Sequence, residues 1–158
     1  VLSSGERQAA ESFVERQERR FAEALEKVVR RGQDLTWVGP DLLEFGDVSD
    51  FCGLVLDRLE NPPRLVAVAH RRPAGDWAVS LRSRDAFAAR LVGLLKDGKK
   101  IRGGGHDDAA AVYFPASYRE IQVQDAVFAA LRMTEEQGKP LEMSLGDLFR
   151  QKDFSGKV

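Results

Sequence analysis

The chain has 158 residues, 43% of them apolar, with 24 Lys and Arg against 25 Asp and Glu, for a net charge of −1. That length supports one ordinary core. Near-neutrality excludes a protein that coats nucleic acid by bulk charge, so any anion site has to be a local cluster.

A single cysteine, Cys52, excludes an internal disulfide and a multi-cysteine metal site. No uncharged apolar run approaches the roughly 20 residues that span a bilayer. Glu6, Arg7, Glu11, Glu15 and Arg16 break up any secretion-signal pattern. A reducing, cytoplasmic setting with no membrane partner is the expectation.

Residues 3–31 read as one long helix. Ser3 followed by Glu6 fits a capping box. Phe13, Gln17, Phe21, Leu25 and Val28 recur at helical spacing as a narrow stripe, and Gly32 stands where a left-handed cap is expected. Such a helix can pack on the body, connect to another domain or pair with a second copy, and a stripe that narrow favours the connector. Leu35 to Val38 and Leu42 to Phe45 then read as short strands separated by Gly39-Pro40. Ser49 opens a helix to about Glu60, burying Phe51, Leu54, Val55 and Leu59, and Asn61-Pro62-Pro63 stops it.

Leu65 to Ala69 is a continuous apolar run, as expected of a central strand covered on both faces. The turn at Arg72-Pro73-Ala74-Gly75-Asp76 returns the chain as Trp77 to Arg82, making a hairpin. Asp85 opens a helix with Phe87, Leu91, Leu94 and Leu95 inward, ending near Gly98. A glycine loop follows, then a strand from Ala109 to Phe114 closed by Pro115. A further helix runs from about Gln122 to Glu136, ended by Gly138-Lys139-Pro140, and Leu145, Leu148 and Phe149 suggest one last short helix. The fold class is therefore α/β, a mixed sheet of about five strands flanked by helices with a long amino-terminal connector helix. The organisation is a connector over 1–33, a central domain over 34–116 and a helical extension over 117–158.

The run Arg102-Gly103-Gly104-Gly105-His106 is the stretch that folding alone explains least. Consecutive glycines cost backbone entropy and add no packing, so they mark positive φ or close backbone approach. Bare amides beside an imidazole suit an anion, and Lys99, Lys100 and Arg102 add positive charge. Ser80-Leu81-Arg82-Ser83-Arg84 ends the preceding strand. If both segments reach one rim, Arg82 offers a planar fork for phosphate or carboxylate oxygens, and Ser80 and Ser83 offer hydroxyls.

Plainer roles compete for the neighbouring residues. His70 ends an apolar run and reads as structural. Arg82 and Arg84 both suit ordinary strand-end ion pairs, and Cys52 suits a buried small hydrophobe. Asp107 and Asp108 beside His106 make a poor metal site, because adjacent strand residues face opposite ways.

Ser-Leu-Arg-Ser, a helix, then Gly-Gly-Gly-His with Ala-Ala three residues on resembles the DHH-associated domain, the carboxy-terminal substrate-binding part of DHH-family phosphoesterases. Nanornases and exopolyphosphatase-related proteins belong to that group. The resemblance covers roughly residues 35–115. It implies that Arg82 and Ser83 contact a substrate phosphate or nucleotide and that Gly103, Gly104, Gly105 and His106 form the opposite wall. It departs from the family pattern at Arg102 and Ala111, where the family usually carries glycines.

In that family manganese or magnesium, held by an Asp-His-His-bearing amino-terminal half, does the hydrolysis. This chain has only His70 and His106 as histidines and no such signature. The expectation is a substrate-binding module with no catalytic residue, metal ligand or cofactor of its own. Its partners would be a phosphate-bearing nucleotide or short single-stranded oligonucleotide and an absent catalytic domain. The alternatives are an interaction module that homodimerises, or a tRNA-binding domain like that of alanyl-tRNA synthetase.

Overall fold

A computed structural model describes residues 3–96 and 101–142. Helix α1, Ser4–Lys27, begins with the expected capping box: Ser3 Oγ accepts from the Glu6 amide at 3.2 Å, and the Glu6 carboxylate accepts from the Ser3 amide at 3.2 Å. Its early turns are exposed, and only its later ones reach the body, where Phe21 and Ala24 are buried. Phe21 meets Phe51 edge-on, with ring centres 5.4 Å apart.

The helix stops at Lys27 rather than running to residue 31. Val29–Arg31 is a short strand, β1, antiparallel to β2, Leu35–Val38, and Gly32 at φ +60° serves the turn between them. The β-branched pair Val28-Val29 gives up little by extending, and β2 offers an open edge to pair with. The strand expected over Leu42 to Phe45 is also absent. Asp41 takes a left-handed conformation at φ +69°, and a single 3₁₀ turn, Phe45–Asp47, leads into α2, Val48–Arg58. Leu42 and Leu43 pack beneath α2 instead of pairing in the sheet.

Strand β3, Leu65–Arg71, is buried along nearly its whole length and forms a hairpin with β4, Trp77–Ser83. Helix α3, Phe87–Lys96, follows, then β5, Arg102–Gly105, and β6, Ala109–Phe114. The glycine run is thus an edge strand and not a loop. Helix α4, Glu120–Glu142, continues through Gly138-Lys139-Pro140, where a stop was expected. Glycine and proline weaken a helix by about 1 and 3 kcal/mol, and one already docked upstream can absorb that loss. Lys99, Lys100, Gly98 and the expected helix around Leu145 to Phe149 lie outside the described residues.

The sheet has six strands in the order β1-β2-β3-β4-β6-β5; β2 and β3 are parallel and every other pair is antiparallel. One face is covered by α3 and α4 over a continuous cluster that includes Trp37, Leu81, Phe87, Leu91, Val112, Phe114 and Leu131. Burial of side chains this size stabilises by about 1.5–3 kcal/mol each. On the other face α1 and α2 pack over Val38, Val66 and Val68, which belong to β2 and β3 only. That unequal cover leaves the β6 and β5 portion of the second face open, with α2 reaching only as far as β4. Among the described residues no helix is long and apolar enough to cross a membrane.

Candidate functional site

Residues opposite one another in an antiparallel ladder share a face, so the register names the lining of the open surface. Arg82 stands opposite Ala109, Ser80 opposite Ala111, and Ala78 opposite Tyr113; across the next pairing Gly104 meets Ala111 and Arg102 meets Tyr113. Ser80, Arg82, Ala109, Ala111 and Tyr113 are half-buried, and Gly104 and Arg102 are exposed. The row Gly104–Ala111–Ser80 therefore makes a floor of small side chains.

His106 closes the β5–β6 hairpin. It donates its amide to the Ala109 carbonyl at 2.7 Å, and the Ala109 amide returns a bond to the His106 carbonyl at 3.3 Å. His106, Ala109 and Arg82 consequently occupy one cross-strand row, with Arg82 and His106 two strand spacings, about 10 Å, apart. The guanidinium of Arg82 lies low, its Nη1 donating to the Leu81 carbonyl at 3.1 Å and the Ala110 carbonyl at 3.5 Å. It makes no ion pair among the described residues. Burial pushes the Cys52 thiol of α2 up to about 12, and the nearby Arg82 charge pulls against that.

The three glycines differ in what requires them. A methyl group at Gly103 would sit 2.7 Å from the Ala111 carbonyl oxygen, and one at Gly105 would sit 2.5 Å from that of Ala109, with φ at +146° besides. The fold itself accounts for both. At Gly104 an added methyl would meet nothing within 4 Å. Its bareness is not needed for packing, and it opens onto the floor between Arg82, His106 and Tyr113.

The convergence of the two segments is held by two backbone bonds and one to a side chain. The Ser83 amide donates to the Asp108 carbonyl at 2.9 Å, the Ala86 amide to Asp108 Oδ1 at 2.9 Å, and the Ala89 amide to the Asp107 carbonyl at 3.2 Å. Asp85 and Ala86 sit in the left-handed region, at φ 61° and 59°, a strain of about 1–2 kcal/mol per residue. The Asp108 carboxylate holds that bend while adding negative charge near the start of α3.

Not every residue singled out from the sequence reaches the open face. Ser83 is fully buried, and its Oγ accepts from the Ala88 amide at 2.7 Å, so its hydroxyl is already committed to starting α3. Gly103 and Gly105 contribute backbone only, and every second amide of an edge strand points away from its neighbour. Arg102 is displaced along the sheet, in the Tyr113 row and not the Arg82 row. Arg84 pairs with Asp57 at an exposed position. His70 bonds the Leu43 carbonyl through Nε2 at 2.8 Å and stacks on Phe45 with ring centres 4.0 Å apart, a structural role. Tyr113 and Asp108 were missed: Tyr113 read only as a strand residue, and the clamp formed by Asp108 has no spacing signature.

Among the described residues no three His, Cys, Asp or Glu side chains converge as a metal ligand set requires. What the face offers is a partly sunk cation, an exposed imidazole and a glycine floor, an arrangement suited to holding anionic oxygens.

No protein-family model matches the chain, and no curated protein matches it by sequence. The chain is similar in shape to several solved structures, among them the two that follow. The C-Ala domain of alanyl-tRNA synthetase from Aquifex aeolicus is 16% identical, with TM-score 0.48, covering 68% of this chain and 97% of that one. The pGpG-specific phosphodiesterase PggH from Vibrio cholerae is 11% identical, with TM-score 0.50, covering 83% of this chain. This chain spans only 43% of the PggH chain, and the likeness between the two is one of fold.

Proposed function

We propose that the open half of the sheet binds phosphate groups of nucleotides or short single-stranded oligonucleotides, as the substrate-holding part of a phosphoesterase whose metal-bearing groups lie elsewhere. The observation that carries this reading is the row Arg82–Ala109–His106 beside the bare Gly104. Arg82 presents a permanent charge with no acid to neutralise it among the described residues, and His106 presents a ring nitrogen from the opposite wall. The small floor lets a phosphate approach the sheet closely enough to meet both. The motif resemblance to the DHH-associated domain and the shared fold with a phosphodiesterase support the ligand class.

In this reading the chain orients and does not cleave. Calorimetry with a dinucleotide and with a 3′-phosphorylated nucleotide tests it, comparing Arg82→Ala and His106→Ala with the parent. Loss of a charged phosphate contact costs on the order of 1.5–3 kcal/mol, or roughly 10- to 150-fold in affinity. Equal and negligible heats in all three proteins would overturn the reading.

An interaction module is the second reading, favoured by the exposed start of α1, where Phe13 and Val14 are 54% and 48% accessible. A sedimentation coefficient that rises with concentration, with no response to nucleotide, would favour it instead.

A further inference from the structure

The far end of the same open face carries groups that phosphate binding at Arg82 leaves unused. The turn between β3 and β4 is closed by the Arg72 amide donating to the Asp76 carbonyl and the Gly75 amide to the Arg72 carbonyl, each at 2.8 Å. The Arg72 side chain is fixed as well: Nε donates to Asp76 Oδ2 at 3.1 Å, and Nη2 bonds the same oxygen. This bond holds the Asp76 carboxyl below its ordinary value of 3.8, so the pair is fully charged near neutral pH. The guanidinium lies over the Tyr113 ring, 4.7 Å from its centre.

Arg102 stands directly opposite Tyr113 and is exposed, with no ion pair or side-chain hydrogen bond among the described residues. Arg72, Arg102, Gly103 and Tyr113 line a hollow of about 340 Å³. Counting Asp76, two guanidinium groups against one carboxylate leave this end net positive. Arg72 is held by Asp76 in a set orientation, and Arg102, whose charge also reaches Asp76 without an ion pair, supplies the surplus positive charge.

We propose that this hollow is a second anion subsite, which receives a further phosphate of the same ligand chain. The proposal rests on the reading that a first phosphate lies between Arg82 and His106. The two ends are separated by the step from Ala109 to Tyr113 along β6, about 14 Å at roughly 3.4 Å per residue. A ligand with one phosphate occupies one end only. A strand of several nucleotides runs across Gly104, Ala111 and Ser80 and meets both. The face then discriminates by length: its second contact is available only to ligands longer than a mononucleotide.

Binding of a nucleoside 5′-monophosphate and of a 5′-phosphorylated trinucleotide to the full chain, at several salt concentrations, tests this. Arg102→Gln is expected to weaken the trinucleotide about tenfold or more and to lower the slope of log affinity against log salt by about 0.7, while leaving the mononucleotide within twofold. Arg82→Ala is expected to weaken both probes. Arg102 is exposed on an edge strand, so its replacement leaves the core intact, and Tyr113→Leu, which removes the ring under Arg72, should reproduce the trinucleotide-selective loss.

If Arg102→Gln leaves the trinucleotide affinity and salt slope unchanged while Arg82→Ala weakens both probes, the second subsite is refuted and phosphate binding at Arg82 stands. If Arg82→Ala changes neither probe, or the parent binds neither, the underlying reading fails and the subsite falls with it.

Discussion

Replacing Gly104 with valine separates the demands of folding from those of binding. An added methyl meets no atom within 4 Å at this position, and the residue lies in an edge strand where valine is well suited. Glycine inside a strand costs about 0.5–1 kcal/mol relative to alanine, so the variant should be at least as stable as the parent. For a chain of this length that corresponds to a rise in Tm of about 1–4 °C.

The isopropyl group would stand on the floor between Arg82, His106 and Tyr113, holding a phosphate away from the sheet. Affinity for a 5′-phosphorylated oligonucleotide should then fall tenfold or more, about 1.4 kcal/mol. Gly103→Ala and Gly105→Ala provide the contrast. Their methyls would lie 2.7 Å and 2.5 Å from backbone oxygens, and relieving such contacts costs about 1–3 kcal/mol of stability. Thermal melts and calorimetry on the three variants decide the matter. If Gly104→Val binds as tightly as the parent, or melts as low as the other two, the reasoning from the bare floor is wrong.

Three further outcomes follow from the same structure. Ala86→Gly relieves a left-handed alanine at φ 59° and should raise stability by about 0.5–1 kcal/mol in urea melts, whereas any decrease would contradict the strain at this bend. Cys52 is buried, and its thiol is pushed up to about 12, so a thiol-alkylating reagent at pH 8 should modify the native chain only as fast as it unfolds; rapid stoichiometric labelling would show the helix α2 core to be open. Asp76 titrates below 3.8 in the folded chain because of its bond to Arg72, so its stabilising contribution is present above that pH and is lost as pH falls through the folded value. Asp76→Asn should therefore flatten the acid limb of the stability profile, and an unchanged limb would mean that the pair does not form.

The strongest elements were legible because packing and propensity agree in them. Leu65 to Ala69 is apolar without interruption and became the doubly covered β3, and the Arg72 to Asp76 turn returned the chain into β4 as its residues require. The misreadings lie where a local signal met a tertiary one. Leu25 and Val28 continue the helical stripe of α1, yet β2 draws Val29–Arg31 into the sheet, and no local pattern announces so short an edge strand. Leu42 to Phe45 has strand-like residues, but the left-handed Asp41 turns it beneath α2. The glycines have poor strand propensity and read as a loop; pairing with β6 overrides that preference.

Site residues divide in a similar way. The proximity of the Arg82 strand end and the His106 hairpin followed from two motifs flanking one helix. Whether a given side chain faces the open surface depends on parity within a register that only pairing fixes, so Ser83 turned inward to Ala88 and Arg102 fell into the Tyr113 row.

Backbone amide shifts of isotopically labelled chain, recorded by NMR during titration with a 5′-phosphorylated trinucleotide, test the central claim most directly. Perturbed residues are expected to cluster in Ala78 to Arg82, Arg102 to His106 and Ala109 to Tyr113, on the β4–β6–β5 half of the sheet. Perturbations confined to α3 and α4, or spread along the exposed start of α1 with the β4–β6–β5 face silent, would contradict it.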